Sequence, residues 1–243
     1  MKLPEMLAEL RLAWSLENHE ALAAEAARKE WTPLQFFQHV MEGEWNRRHG
    51  NRVARHIKQA RFPVLKTLDQ FDWNWPRKIN RPQVQNLFRL DFLKDKGNVL
   101  FVGGVGVGKT HLATALGYEA CQQDHSVLFT TAVDIVNTLT AAQATDRLSL
   151  ELKRYTRPEI LIIDEVGYLP IDKLGADLLF QVFSQRYERG STLVTTNKAF
   201  KNWPDIFNGD VTITAAVLDR VLHHAETVLI EGHSHRMRER KAD

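Results

Sequence analysis

A glycine-rich segment, GGVGVGKTH at residues 103–111, holds the residue types best suited to chemistry in this 243-residue chain. It fits the pattern G-x-x-x-x-G-K-[ST], whose fixed positions are Gly103, Gly108, Lys109 and Thr110. Glycines let successive backbone N–H groups turn towards phosphate oxygens, and a helix that follows presents its positive end to the same charge. The segment therefore predicts a nucleotide-phosphate loop, in which Lys109 bridges the β- and γ-phosphates and Thr110 ligates Mg²⁺.

Polar residues also end two later apolar runs. Asp164 and Glu165 end EILIIDE, where a strand-terminal Asp suits the Mg²⁺ shell and the adjacent carboxylate suits a group that polarises water towards the γ-phosphate. Asn197 ends STLVTTN, where a neutral amide suits an attacking water, although an Asn after a strand is also a common turn residue. Together these residues favour ATP hydrolysis.

The elements that must position these residues alternate between strand and helix from residue 97 onward. Apolar runs predict strands at 98–104, 126–131, 159–165 and 191–197, and helices are predicted at 110–122, 133–144 and 174–188. Unbroken apolar strands between helices indicate an α/β fold with a parallel sheet covered by helices on both faces. Ligands of such sheets bind beyond the carboxyl ends of the strands, where all the polar residues above fall.

The first 62 residues predict a small all-helical domain. Leu3, Leu7, Leu10 and Trp14 recur at helical spacing, and Thr32 to Gln35 combine an N-cap, a proline at the first helical position and a capping glutamine. Prolines at 63, 76 and 82 predict a linker with one short helix around 84–93. The predicted organisation is a helical domain at 1–62, a linker and entry to the ATPase domain at 63–96, and the ATPase domain at 97–243.

The formal net charge is only +2, but positive residues cluster between Trp45 and Phe62. That stretch holds six cations and no acid, and Arg48, Arg52 and Arg55 recur at i, i+4 and i+7. On a helix these three form one cationic stripe, here called the arginine stripe, whose shape suits a DNA phosphate backbone. A solvated face or a positive linker is an equally good interpretation of the charge alone.

Composition restricts the remaining classes. No apolar run long enough to cross a membrane and no signal-peptide core is present, so we expect a cytoplasmic protein without a membrane partner. The one cysteine, Cys121, excludes an internal disulfide framework and favours a small buried side chain. His233 and His235 lack acidic or cysteine partners at ligand spacing, so we expect no metal other than Mg²⁺.

Four segments together resemble the AAA+ ATPases of the IstB type, helper proteins of insertion-sequence transposition that are related to the helicase loader DnaC. These segments are FVGGVGVGKTHLATALGYEA, ILIIDEVGYLPID, LVTTNKAF and AAVLDRVLHHAETVLIEGHSHRMRER, and the resemblance runs from about Leu65 to Arg240. It implies that the glycine-rich segment is Walker A, that Asp164 and Glu165 are Walker B, and that Asn197 is sensor 1.

The resemblance further implies that Arg220 is an arginine finger reaching a neighbouring subunit's nucleotide, and that Arg236 belongs to a Ser-x-Arg element. A cation neutralises charge on the γ-phosphoryl group, and a finger from a partner makes hydrolysis depend on assembly. An ion pair of Arg220 with Asp219 is the simpler interpretation without the family. Many relatives carry an aromatic residue where this chain has His235, which leaves the role of Arg236 open. The implied nucleotide contacts are Gly103, Gly104, Val105, Gly106, Val107, Gly108, Lys109, Thr110, His111 and Arg236.

The resemblance implies ATP and Mg²⁺ as cofactors, and double-stranded DNA, a cognate transposase and further copies of the chain as partners, with ATP at the subunit interfaces. We expect an ATP-dependent regulator of transposition that assembles on target DNA and recruits the transposase. The alternative is a DnaC-like loader of a replicative helicase. A metabolic P-loop kinase is disfavoured by Glu165, Asn197 and Arg220.

Overall fold

The computed structural model describes residues 2–235, which divide into two units, one ending at Arg55 and the other beginning at His56. A long helix, α3 (Pro33–Ala60), crosses this boundary. The organisation predicted from the sequence, with boundaries at residues 62 and 96, stays a prediction.

The first unit is helical, with α1 (Leu3–Glu9), α2 (Ala13–Arg28) and the greater part of α3. The single face expected to run from Leu3 to Trp14 is wrong, because the chain turns at Arg11, whose φ of 55° ends α1 before α2 begins. Helix α3 begins where the sequence predicts. Thr32 and Gln35 exchange a capping pair of hydrogen bonds, from Thr32 N to Gln35 Oε1 (2.8 Å) and from Gln35 N to Thr32 Oγ1 (3.3 Å).

Residues in the middle of α3 make close contacts with α2. Gly43 allows the Trp14 ring to lie against the α3 backbone, since a Cβ at Gly43 would lie 2.3 Å from Trp14 Cε3. Glu44, only 5% exposed, accepts a hydrogen bond from Ser15 N (2.8 Å), one of the otherwise unpaired donors in the first turn of α2. A glycine and an acid in the middle of α3 therefore fix the packing of α2.

The second unit is built on a five-stranded parallel sheet in the order β2-β3-β4-β1-β5. The strands are β1 (Asn98–Gly103), β2 (Val127–Thr131), β3 (Ile160–Val166), β4 (Ser191–Thr196) and β5 (Ala225–Ile230). The four strands expected from the sequence are confirmed to within about two residues. β5 was not expected, because it is an edge strand with exposed polar positions and lacks a continuous apolar run.

Helices cover both faces of the sheet, as the sequence predicts. They are α4 (Arg81–Leu87), α5 (Lys109–Gln122), α6 (Ala132–Gln143), α7 (Leu148–Thr156), α8 (Lys173–Arg186) and α9 (Val211–Leu222). Side chains alternate along β1, with Leu100 in the core shared with α6 to α9 and its neighbours Val99 and Phe101 in the core shared with α4 and α5. Cys121 is fully buried, and burial raises the pKa of its thiol to about 12.

The helix expected around 84–93 differs from the structure. α4 begins earlier because Asn80 caps it, accepting a hydrogen bond from Gln83 N (3.1 Å), and Pro82 lies in the first turn, where a missing N–H does no harm. α4 ends at Leu87, and Leu90 takes a left-handed φ of 60°. No helix in the described part of the chain is long and apolar enough to cross a membrane.

Candidate nucleotide-binding site

The glycine-rich loop joins β1 to α5, which begins at Lys109. Gly106 and Gly108 have φ values of 73° and 100°, in the left-handed region that favours glycine. A Cβ at Gly108 would also lie 2.6 Å from the Phe71 ring. Val107 is buried and anchors the middle of the loop, while the unpaired N–H groups of the first turn of α5 lie at its end. These features suit a cradle for phosphates.

Lys109 and Thr110, at the start of α5, bond to the glycine-rich loop and to the acidic strand, respectively. Lys109 Nζ donates to Gly103 O (2.9 Å) and Gly104 O (2.6 Å), which places the ammonium group against the loop. Thr110 Oγ1 donates to Asp164 Oδ1 at 2.9 Å. A hydroxyl beside a carboxylate supplies the hard oxygen ligands that Mg²⁺ prefers, so these two residues fit the ion.

The two adjacent acids of β3 lie in a β-bulge, which gives their side chains different surroundings. The register between β3 and β4 shifts between Ile163 and Val166, and Glu165 adopts a φ of 59°, which is uncommon for a residue with a Cβ. Asp164 is 5% exposed and bonds to Thr110, whereas the adjacent Glu165 is exposed at the carboxyl end of the strand. The bulge gives neighbouring carboxylates different surroundings, as different chemical roles require.

Thr195, which the sequence analysis did not single out, holds both acids. Its buried hydroxyl donates to Asp164 Oδ1 and accepts a hydrogen bond from Glu165 N (3.0 Å). The available sequence signal was a threonine in an apolar run, two residues before Asn197. The sequence does not show which strands lie beside that run. Thr195 is a positioning residue for the acidic pair.

Asn197 follows β4 and is exposed. β4 lies between β1, which leads into the phosphate loop, and β3, which ends in the acids. The strand order therefore places Asn197 at the carboxyl end of the sheet, between the phosphate loop and the acidic pair. A residue that contacts a γ-phosphate or its attacking water requires this location.

A pocket of about 580 Å³ extends from the loop to an aromatic wall. Phe71, Trp75 and Pro76 line this end, together with His235. The sequence predicts a linker and the entry to the ATPase domain over residues 63–96, so these residues were not expected in the site, although the aromatic cluster in FDWNW is a signal. An apolar and aromatic end next to a phosphate cradle suits a nucleobase.

His111 lines the same pocket, and its Nε2 lies 2.9 Å from Thr67 O. Burial lowers the pKa of His111, with a smaller opposing effect from the Thr67 carbonyl and further lowering by Lys66 and His235. A neutral ring whose Nε2 carries the proton satisfies that carbonyl. His111 therefore fixes the segment before the aromatic wall to the start of α5.

The segment after β5 lies on the phosphate loop. Glu231 pairs with Lys78 through two backbone hydrogen bonds, and Trp75 Nε1 donates to His233 O (2.9 Å). His235 N then donates to Gly106 O at 2.9 Å. Arg236, which the resemblance placed in the site, lies outside the described residues.

Arg220 lies at the other end of the sheet from the phosphate loop. Asn98, the first residue of β1, donates a hydrogen bond from Nδ2 to Val221 O (3.0 Å). The phosphate loop begins after the last residue of β1, about 16 Å further along the strand. The guanidinium group donates to Ala216 O (2.8 Å) and lies 5.2 Å from the centre of the Phe180 ring. Arg220 is therefore not part of the pocket of its own chain.

The arginine stripe lies on α3 in the first unit. Arg48 and Arg55 are exposed and Arg52 is half-buried. Arg48 donates to Arg11 O (3.0 Å), and its Nε lies 3.9 Å from Glu44 Oε2. Arg48 therefore also stabilises the packing of the first unit.

A parallel sheet in which an extra strand separates the phosphate-loop strand from the acidic strand, with helices on both faces, has the fold of the AAA+ P-loop ATPases. The chain belongs to the family of IstB-like ATP-binding proteins, whose family model matches residues 5–243.

Two curated relatives illustrate the match. An insertion sequence IS21 putative ATP-binding protein from Pseudomonas aeruginosa is 39% identical over 240 residues, covering 99% of this chain and 90% of the relative. An insertion sequence IS232 putative ATP-binding protein from Bacillus thuringiensis subsp. berliner is 43% identical over 192 residues, covering 79% and 76%.

Solved structures share the fold at low identity. The DnaC helicase loader aligns with a TM-score of 0.55 and 19% identity over 68% of this chain and 96% of its own. AMPPCP-bound DnaA from Aquifex aeolicus aligns with a TM-score of 0.59 and 17% identity over 75% of this chain and 55% of its own.

Proposed function

We propose that this protein is a Mg²⁺-dependent ATPase that assembles on duplex DNA and recruits the transposase of its insertion sequence. The main support is the arrangement around the bulge of β3, where buried Asp164 bonds to Thr110 and Glu165 is turned outward at the same edge of the sheet. Binding alone requires the phosphate loop, whereas a second, separately oriented acid is what hydrolysis requires.

Each residue of the site has a distinct task in this proposal. Lys109 and the N–H groups of the loop bind the phosphates, and Asn197 orients the attacking water. Thr110 and Asp164 hold Mg²⁺, which supplies charge neutralisation at the phosphates. Glu165 accepts a proton from water as the water attacks the γ-phosphate. The aromatic wall at Phe71 and Trp75 binds the base and excludes solvent from that end of the pocket.

Arg220 makes the ATPase an assembly-dependent enzyme in this proposal. Its distance from its own phosphate loop, along the length of β1, supports a role towards a neighbouring copy. An arginine supplied by a second subunit stabilises the charge of the transition state only when subunits meet. ATP bound at the interface then promotes oligomerisation, and hydrolysis releases or remodels the oligomer.

A helicase loader remains the second candidate, favoured by the structural match to DnaC. A DnaA structure of the same fold, with a TM-score of 0.56, is described as bound to AMPPCP and single-stranded DNA. The curated relatives of this chain, by contrast, are named as insertion-sequence proteins, and two of them match over 99% of its length. That association favours the role in transposition.

Fluorescence anisotropy with duplex and single-stranded oligonucleotides of equal length, with and without ATP, separates the two functions. We expect ATP to strengthen duplex binding and to produce large assemblies in analytical ultracentrifugation, because nucleotide at the interface joins the subunits. Lys109→Ala is the control, since it removes the ATP response without touching DNA contacts. A preference for single strands, or binding that ignores ATP, would contradict the proposed function.

The arginine stripe gives a second measurement on the same DNA. Replacing Arg48, Arg52 and Arg55 with Gln is expected to flatten the slope of log affinity against log salt by about 0.9 for each phosphate that the variant no longer binds. ATP binding should be unchanged, because the stripe lies in the other unit. A control with equal charge loss replaces three exposed cations of the second unit with Gln, namely Arg89, Lys96 and Arg189. Lines that coincide with the wild type would assign the stripe to solvent or to a protein partner.

A further inference from the structure

A second cationic feature lies in the ATPase unit, away from the nucleotide pocket. A cleft of about 330 Å³ opens where β2 and β3 begin, at the opposite end of these strands from Asp164. Three arginines line it, namely Arg61, which follows α3, and Arg154 and Arg157 at the end of α7. We call this feature the basic cleft. Two basic runs that are far apart in the sequence thus meet at one place.

Within the described part of the chain, no acidic side chain pairs with the three arginines of the basic cleft. Within residues 2–235, the guanidinium groups of Arg61, Arg154 and Arg157 form no ion pair and no side-chain hydrogen bond, and Arg154 contacts only the ring of Tyr155, at 5.6 Å. Two acids close in sequence to cleft residues have partners other than the three arginines. Asp124 pairs with His56 (3.4 Å), and Glu159 accepts hydrogen bonds from Ser126 N (3.0 Å) and interacts with His125.

A buried arginine holds the backbone beneath the cleft. Arg186, only 1% exposed, donates through Nη1 to Tyr155 O (2.8 Å) and Pro158 O (2.9 Å), and through Nη2 to Glu159 O (3.1 Å). Burial lowers its pKa to about 10, so the group stays charged at neutral pH. These bonds tie down the segment that carries Arg157, so a ligand does not have to order that segment on binding.

We propose that the basic cleft binds the phosphate backbone of duplex DNA. The inference rests on the proposed function, since it supplies a DNA contact for the ATPase unit itself. Guanidinium groups bind phosphate through two parallel hydrogen bonds, and protein–DNA interfaces are polar and strongly positive. An acidic protein segment is a poorer fit, because protein interfaces centre on exposed apolar or aromatic anchors. Of the apolar residues that line the cleft, Val127 and Leu128 are buried and Pro158 is half-buried.

The test compares three proteins on one duplex across a salt titration: the wild type, the triple variant Arg61→Gln, Arg154→Gln and Arg157→Gln, and the charge-matched control at Arg89, Lys96 and Arg189. The cleft variant is expected to lower the salt slope by up to about 2.7, which is about 0.9 for each of three phosphate contacts. It should also weaken binding roughly tenfold or more at low salt. The control should keep the wild-type slope. ATP binding should be the same in all three, because no residue of the cleft touches the nucleotide pocket.

The outcomes separate this inference from the proposed function. Wild-type protein that fails to bind duplex would overturn both. If the cleft variant binds duplex DNA with the wild-type affinity and salt slope, the proposed DNA contact of the basic cleft is overturned and the proposed function stands. The same conclusion follows if the cleft variant binds duplex DNA normally but no longer binds the purified transposase.

A cross-linking experiment avoids dependence on the folding of the triple variant. Arg157→Cys can be labelled at one position with a photo-cross-linker, since the native Cys121 is buried and its pKa is raised to about 12. We expect the label to cross-link to duplex DNA, and a label at Arg189→Cys to give no product. Equal yields from both positions would contradict the cleft.

Discussion

Glu165→Gln is expected to bind ATP with nearly wild-type affinity while hydrolysis falls by about 10²- to 10⁴-fold, the usual contribution of a general base. The amide keeps the shape of the side chain but accepts protons poorly. Because Glu165 is exposed, and the bonds of Asp164 to Thr110 and Thr195 do not involve its side chain, the substitution should leave the rest of the site intact.

The measurement pairs a binding titration with a phosphate-release assay on the same preparations. Lys109→Ala should behave differently and lose ATP binding itself, because its ammonium group lies against the phosphate loop. Glu188→Gln, an exposed acid outside the pocket, controls for the loss of one negative charge. Turnover at the wild-type rate in the Glu165 variant would remove this residue from the catalytic role.

Arg220→Ala should leave the nucleotide affinity of the isolated subunit unchanged and lower the ATPase rate of the assembled protein by about 10³- to 10⁵-fold, as for other arginine fingers. Within the described residues of its own chain, the substitution removes the hydrogen bond to Ala216 O and the contact with Phe180, and neither of these lies at the nucleotide pocket. Arg220→Lys should recover little activity, because an ammonium group lacks the planar fork of the guanidinium.

Mixing subunits tests whether the arginine acts on a neighbour. Subunits with Arg220→Ala keep Glu165, and subunits with Glu165→Gln keep Arg220, so a mixed interface contains one complete site. Blends of the two inactive proteins should therefore hydrolyse ATP, most strongly near equal ratios. If mixed assemblies form, as shown by differently tagged subunits, and remain inactive at every ratio, the finger in trans is ruled out.

The sequence predicts the buried elements of the fold better than the edges. Strands such as β3, with four consecutive apolar residues, have a signal that depends only on their own burial. β5 and α9 were not expected as elements. Which of their side chains are buried depends on neighbours that come from distant parts of the chain. Pro82 was assigned to a linker, although Asn80 caps α4 and Pro82 lies in the first turn of that helix. A local pattern identified the wrong boundary there because capping depends on backbone geometry.

The candidate site shows the same division. Residues inside a fixed spacing, from Gly103 to Thr110, were found because the loop itself creates the spacing. Thr195 was missed because its contact with Asp164 depends on the pairing of β3 with β4, which is separated in the chain by α8. The basic cleft was missed for a related reason, since Arg61 and Arg157 belong to runs that only the folded chain brings together.

The strand order also bears on how the protein is made. β1 has no neighbour that precedes it in the chain, since Val99 pairs with Leu193 of β4 and Glu226 of β5. During synthesis the phosphate loop therefore emerges from the ribosome long before the strands that hold it in place, and long-range parallel pairing forms slowly. A nascent chain that stops before β4 exposes both edges of β1 and has no working cradle. We therefore expect the chain to acquire nucleotide binding late in translation, and ATP to favour only the final stage of folding.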